Sequence, residues 1–360
     1  MSLSDRSFDR ILIVKPSSLG DVVHALPVLH GLRMRFPQAK IDWLIAVPFA
    51  PLLENHPDLD DLILFDRKRF GRMARSPRAA LEFLQFVRGL RSRRYDLVID
   101  LQALFRTGFL SWVSGADIRI GFYGAREGAW LFYNHDVKVR DSEMHAVDRY
   151  YLVADLLGFA DVPVKFSLSV PDALSVEAGK LLGSMGLGDH DHVVAVVPGA
   201  RWDTKVWPAE RFIEAIDALH AGGRMRCVLL GGNDELALCE QIARSCKSEP
   251  INLAGRTSIP QLAAVVSLAD VVLCHDSAAA HLAVALEREL VCLTGPTNPR
   301  RTGPYGRPED VLRLELDCSP CYLRRLSQCP HGHRCMNDLD SQSVVEAVSA
   351  SIRRLSAVGT

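Results

Sequence analysis

At 360 residues, 48% hydrophobic and 24% charged, the chain is long enough for two cores of ordinary size, so two domains are the default expectation. A formal net charge of -1 excludes any global pull toward nucleic acid or an anionic membrane, so no nucleic-acid partner is expected and electrostatic recognition must come from local asymmetry. The polar N-terminus leads into an apolar run at 11–14 that is too short for a secretory segment, no later run reaches membrane-spanning length, and the nine cysteines are an odd count with Cys227, Cys239, Cys246, Cys274 and Cys292 scattered through segments that read as core, all of which points to a cytoplasmic protein with reduced thiols.

Short apolar, β-rich runs alternate with amphipathic segments along the whole chain, the pattern of parallel sheets covered by helices. Residues 11–14, 41–46, 62–65, 97–101 and, more weakly, 118–122 are predicted strands of the first half. The stretch 77–94 sets Leu81, Leu84, Phe86, Val87 and Leu90 among arginines, which predicts a helix with one buried face. Strands then restart at 193–197, 227–230, 251–253, 271–274 and 290–293. Between the two series, VPVKFSLSVPD at 162–172 carries two prolines and predicts an extended linker. After the last strand, SQSVVEAVSASIRRL predicts a terminal helix that packs back on the first domain. The expected organisation is therefore α/β, with two doubly wound Rossmann-like domains at 1–165 and 173–340, a cleft between them, and a C-terminal helix at 341–360.

Open α/β sheets bind ligands beyond the carboxyl ends of their strands, which directs attention to four turns. In the first, Lys-Pro-Ser-Ser-Leu-Gly-Asp places Lys15, Ser17, Ser18 and Asp21 between a strand and a helix, without a Rossmann glycine fingerprint or a P-loop. Asp21 reads either as a helix cap or as a general base, and the two roles are compatible. The second turn, PGARWDTKVWP, pairs Gly199 with Arg201, Trp202 and Lys205; a close-approach glycine and two cations suit a diphosphate, while Trp207 and Pro208 read more simply as the start of a helix. In the third, Gly231 and Gly232 either admit a ligand to the backbone or only turn the chain, and Glu235 can act as a first-turn acid. The fourth, CHDSAAAHLA, sets Asp276, Ser277 and Ala278 at a helix start with His281 one turn on. That is a natural place for a phosphate, or alternatively a capping aspartate and a packed histidine.

Taken together, KPSSLGDVVHALP, PGARWDTKVWP, LLGGNDE, CHDSAAAHLA and LTGPTNP followed by GPYG resemble the bacterial heptosyltransferases of glycosyltransferase family 9 over nearly the whole chain. AREGAWLFYN and HAVDRY are most similar to the first heptosyltransferase of the lipopolysaccharide pathway. The resemblance implies a GT-B fold, with an N-terminal acceptor domain and a C-terminal nucleotide-sugar domain. It also implies inverting transfer of heptose from ADP-heptose to the inner core of lipopolysaccharide, onto 3-deoxy-octulosonate or the first heptose. Asp21 matches the family's base, Lys205 its phosphate-binding lysine and Asp276 the carboxylate that meets the sugar. Ser277 to His281 would set backbone N–H groups and an imidazole against the diphosphate, so that no metal cofactor is required. Ala278 stands where many members have glycine.

The runs RKRFGRMARSPR and RGLRSRR lack acidic residues and ordinarily read as solvated helix faces. The resemblance offers a second reading, in which Arg67, Lys68, Arg69, Arg72 and Arg75 meet acceptor phosphates or the inner face of an anionic membrane. Gln102 and Arg106 past one strand end and Arg126 past the next would line the same face. Near the C-terminus Cys318, Cys321, Cys329 and Cys335, with His331 and His333, form a dense soft-ligand group; it reads as reduced thiols packed in a loop, with a structural metal or a disulfide as the other options. Two competing functions remain: a relative using another nucleotide sugar on a different glycan or protein, and a non-catalytic nucleotide-binding protein.

Overall fold

A strand such as Ile-Leu-Ile-Val has no polar side to turn to water, so it is stable only with both faces covered. That condition shapes each half of the computed structural model, which describes residues 2–72 and 74–358 and divides between Leu168 and Ser169 into two compact units. The division falls inside the proline-bearing stretch at 162–172.

Unit 1 contains β1 (Arg10–Val14), β2 (Lys40–Ala46), β3 (Asp61–Phe65), β4 (Leu97–Asp100), β5 (Ile118–Phe122) and β6 (His135–Val137). They form one parallel sheet in the order β3-β2-β1-β4-β5-β6. Unit 2 repeats the plan with β7 (His192–Val197), β8 (Met225–Leu229), β9 (Ile251–Asn252), β10 (Val271–His275), β11 (Glu289–Leu293) and β12 (Val311–Leu312). Its order is β12-β11-β10-β7-β8-β9, again parallel throughout. Winding reverses between β1 and β4 in one sheet and between β7 and β10 in the other, and the crevice at such a reversal is where doubly wound sheets hold ligands. The short edge strands β6 and β12 were not expected from the sequence.

The helix Leu19–Arg35 lies against this sheet and is buried on most sides, from Val22 and Val23 to Leu32. Gly31 is required there because Phe159 fills its side-chain space: a Cβ would lie 2.5 Å from the ring. Gly121 in β5 has a similar task. The Tyr133 ring lies where a Cβ would be, at 2.2 Å, and this lets the Tyr133 hydroxyl donate to Asp100 Oδ2 at 2.8 Å.

In unit 2 the buried Trp207 stacks edge-on against Phe212 and donates its indole N–H to the carbonyl of Leu339. The terminal helix Ser341–Val358 corrects an expectation. It buries Val344, Val348 and Ile352, spaced by four, in the unit 2 core beside the helix Ala209–Ala221 and β11, and Arg354 pairs with Glu289 at 2.7 Å. A single apolar stripe packs one surface, and here that surface belongs to unit 2.

Gly121→Ala is expected to displace Tyr133 and cost about 1–3 kcal/mol, the usual range for overpacking, read as a lower urea midpoint. An unchanged midpoint would mean that Tyr133 moves freely.

Candidate active site

Lys15 follows directly on β1 and is buried at the point where the winding reverses. A buried ammonium needs negative charge within reach. Asp21, three residues into the next helix, supplies it, with Nζ 3.8 Å from Oδ1. The same carboxylate accepts from the Ser18 backbone N–H at 3.0 Å and the Ser18 hydroxyl at 2.7 Å, both on Oδ2, and from the buried Tyr150 hydroxyl at 3.1 Å on Oδ1. Burial by itself raises the Asp21 pKa, but Lys15, Ser18 and Tyr150 outweigh it and hold the carboxyl below its ordinary value. Burial lowers the Lys15 pKa, while Asp21 and Asp100 oppose that shift. Asp100, fully buried at the end of β4, accepts from the backbone of Gln102 and Ala103 and from Tyr133. Gln102 Oε1 is buried without a hydrogen-bond partner among the described residues.

Unit 2 has its own lysine and carboxylate at the reversal between β7 and β10. Lys205 Nζ donates to Asp276 Oδ2 and to the Asp276 carbonyl, each at 2.8 Å. Thr297 and Thr302 add hydroxyl donors to the same Oδ2 at 2.7 and 3.0 Å. Burial raises the Asp276 pKa, yet Lys205, His281 and Thr297 more than offset it, so the carboxyl stays below its usual range. Ser277 caps the helix Ala278–Ala285, and its Oγ is buried without a hydrogen-bond partner among the described residues. Ala278 is the first helical residue and is absent from the positive-φ positions, so alanine fits where a left-handed backbone would demand glycine. Beside them His281 is buried within electrostatic reach of Asp276.

The loop bearing Lys205 is tied to β10 by His275, which is fully buried. Its Nε2 accepts the Trp207 backbone N–H at 2.9 Å, so the proton resides on Nδ1, which points at the Gly199 carbonyl at 3.5 Å. Trp202 carries Lys205 and Arg324 over its ring, at 5.0 and 4.9 Å from the centroid, while Arg201 is exposed. Glu235 stands as the first-turn acid the sequence allowed, and Gly199 packs against it. A Cβ at Gly199 would lie 2.1 Å from Glu235 Cγ, so this glycine makes room for Glu235. Glu235 in turn accepts the Gly232 N–H at 2.6 Å and closes the turn after β8, with Gly231 packed under its Cβ.

In the basic loop, Arg69 and Arg78 both pair with Glu82, whereas Arg67, Lys68, Arg72 and Arg75 are exposed and carry no ion pair among the described residues. Arg106 and Arg126 are likewise exposed, on the helix Phe105–Val113 and the short turn Arg126–Phe132. All nine cysteines are free thiols, and among the described residues no group of three or more His, Cys, Asp or Glu side chains is placed to hold a metal ion. Burial, with Cys321, Cys329 and Cys318 nearby, pushes the Cys335 thiol up to about 11. The cysteine-bearing segment packs on the loop bearing Lys205, where Thr204 donates to the Leu323 carbonyl and His333 meets the Thr204 carbonyl.

The model of glycosyltransferase family 9 (heptosyltransferase) matches residues 83–330. The chain belongs to glycosyltransferase family 9. This glycosyltransferase is 30% identical to lipopolysaccharide heptosyltransferase 3 of Escherichia coli K12 over 284 residues, covering 78% of this chain and 80% of that one. It is 28% identical to the lipopolysaccharide core heptosyltransferase OpsX of Haemophilus influenzae over 352 residues, 96% of each. Among solved structures it is similar to E. coli heptosyltransferase WaaC with ADP, at a TM-score of 0.73 and 27% identity over 95% of this chain and 99% of that one. The two parallel sheets are thus those of the GT-B fold.

Sequence reasoning singled out the lysines and aspartates of this family 9 site but missed their partners Tyr150, Tyr133, His275, Thr297 and Thr302. The first four lie within HAVDRY, AREGAWLFYN, CHDSAAAHLA and LTGPTNP, but no local pattern says which group each would bond. Burial pushes the His275 pKa down to about 4 from 6.5, so between those pH values the unfolded chain takes up a proton that the folded one refuses. Stability is therefore present above about pH 6.5 and falls toward pH 4, by about 3 kcal/mol at about 1.4 kcal/mol per pH unit. His275→Asn should flatten that slope in urea unfolding measured from pH 7 to pH 4.5. Tyr150→Phe should raise the Asp21 pKa in a carboxyl NMR titration, since it removes a donor to the charged form.

Proposed function

We propose that this glycosyltransferase moves heptose from ADP-heptose to the inner core of lipopolysaccharide, on 3-deoxy-octulosonate or the first heptose, at the cytoplasmic face of the inner membrane. The observation that carries the donor assignment is the half-buried Lys205 paired with the buried Asp276, beside a helix start whose Ser277 hydroxyl has no partner among the described residues. A cation and free N–H groups at a helix N-terminus suit a diphosphate. Relatives solved with ADP and with ADP-2-deoxy-2-fluoro heptose support an adenine nucleotide.

In unit 1, Asp21 acts as general base. Ser18 and Tyr150 orient the carboxylate and Lys15 keeps it charged, so it can take the acceptor hydroxyl proton. The acceptor oxygen then bonds to the anomeric carbon as the bond to the diphosphate breaks, ADP leaves with the electron pair, and the configuration inverts. Lys205, Ser277 and the helix start stabilise the charge that develops on ADP.

The test is mass spectrometry of truncated core acceptors incubated with ADP-heptose, where a heptose mass increment is expected. Asp21→Asn should lower turnover about 10²–10⁴-fold, the usual worth of a general base, with ADP-heptose affinity retained. No increment with any core acceptor, or tight binding only to a non-adenine nucleotide sugar, would overturn the assignment.

A further inference from the structure

Unit 1 carries an aromatic surface that the base and the basic loop leave unexplained. The helix Phe105–Val113 packs on the turn Arg126–Phe132 through ring contacts: Phe132 meets Phe105 at 5.3 Å, Phe109 at 6.2 Å and Trp112 at 6.4 Å. Phe83 continues the stack from the helix Pro77–Ser92, 6.4 Å from Phe109. The inner rings settle into this layer, but the outer side chains stay in water. Trp112 and Trp130 are each 54% exposed, Leu131 65% and Phe105 50%. Single exposed apolar residues are ordinary, whereas four on two packed elements mark an interaction site.

The charge around them indicates what covers it. Arg88, Arg91 and Arg106 are exposed and carry no ion pair among the described residues. Across residues 67–94 the sequence holds ten Lys and Arg against one acid, Glu82, although the whole chain is nearly neutral. A protein interface of this size favours a contiguous core depleted of charge. Exposed indole and leucine side chains, with unpaired guanidinium groups on the same helix and on the helix packed against it, match the headgroup layer of an anionic bilayer, where rings sit at the interface and arginines meet phosphates.

We propose that this face of unit 1 docks on an anionic membrane, with Trp112, Trp130 and Leu131 at headgroup depth and Arg88, Arg91 and Arg106 on lipid phosphates. The proposal rests on the reading of a lipid-anchored acceptor.

The test is co-sedimentation of the full chain with phosphatidylcholine vesicles, with and without phosphatidylglycerol, alongside tryptophan emission. Binding to the anionic vesicles with a blue shift is expected. Trp112→Ala/Trp130→Ala should weaken it about tenfold or more, and Arg88→Glu/Arg91→Glu should abolish the preference for anionic lipid. Far-ultraviolet circular dichroism and the urea midpoint check that the variants fold. With a water-soluble, deacylated core acceptor, the double tryptophan variant should transfer heptose as the parent does, so absence of transfer in both indicts the heptosyl reading and not the docking surface. Vesicle binding that is absent in the parent, or unchanged by the tryptophan substitutions, overturns the proposal. A parent dimer that the tryptophan variant converts to monomer also overturns it, and assigns the face to a second copy of the chain.

Discussion

A lysine drawn wholly (Lys15) or largely (Lys205) out of water near the carboxyl end of a parallel sheet needs a carboxylate beside it, and much of the local architecture in each unit follows from that need. In unit 1 the cation is Lys15, one residue past β1, with Asp21 and Asp100 as its negative neighbours. In unit 2 it is Lys205, bonded to Asp276 just past β10. Each pair sits where the winding of its sheet reverses, so helix starts and strand ends converge on it. The surrounding polar groups are then committed. Trp43 bonds the Lys15 carbonyl, Tyr133 reaches Asp100 over Gly121, and Thr297 and Thr302 close on Asp276 Oδ2. Apolar packing shapes the sheets, and charge burial decides what lies at their ends.

The strands that matter most were legible because they are buried on both faces, which leaves apolar runs such as Val271–His275 that no surface segment would carry. The edge strands β6 and β12 were not, since three and two residues give no run to read. A similar limit applied at the site. Lys15, Asp21, Lys205 and Asp276 stand in turns with local signatures. Tyr150 reaches Asp21 from 129 residues away, and His275 reaches Trp207 across 68. Those pairings are made by topology: HAVDRY and CHDSAAAHLA mark the segments, but neither says which distant group its tyrosine or histidine would meet.

Two local signals were legible but ambiguous, and the structure adds a packing neighbour to each. A glycine beside two cations reads as room for a phosphate, yet the room at Gly199 is filled by Glu235, whose carboxylate also caps the turn after β8. The cysteine pairs near the C-terminus have the composition of a metal site, but the segment is anchored by other means: Cys321 and Tyr322 donate their N–H groups to the Pro296 carbonyl, and Cys335 lies against Gly295. In both cases the residue type was read correctly. What the sequence could not supply was the neighbour that uses it.

Asp21 and Asp276 are both held below the ordinary carboxylate pKa, and the proposed chemistry assigns them different tasks; their surroundings give the reason. The Asp276 side chain is 3% exposed and one of its oxygens takes three donors, so its charge is spent on fixing Lys205 and two threonines. Asp21 is 39% exposed. Ser18 occupies one oxygen and Tyr150 the other, and a carboxylate offers about four lone-pair positions, so one remains open toward solvent. A carboxylate that is oriented, charged and accessible is equipped to receive a proton. One that is oriented, charged and enclosed is equipped to hold a cation against a phosphate. Capping the helix Leu19–Arg35 is therefore no rival to the proposed role of Asp21, because the Ser18 bonds engage Oδ2 and leave Oδ1 with Tyr150 as its hydroxyl donor.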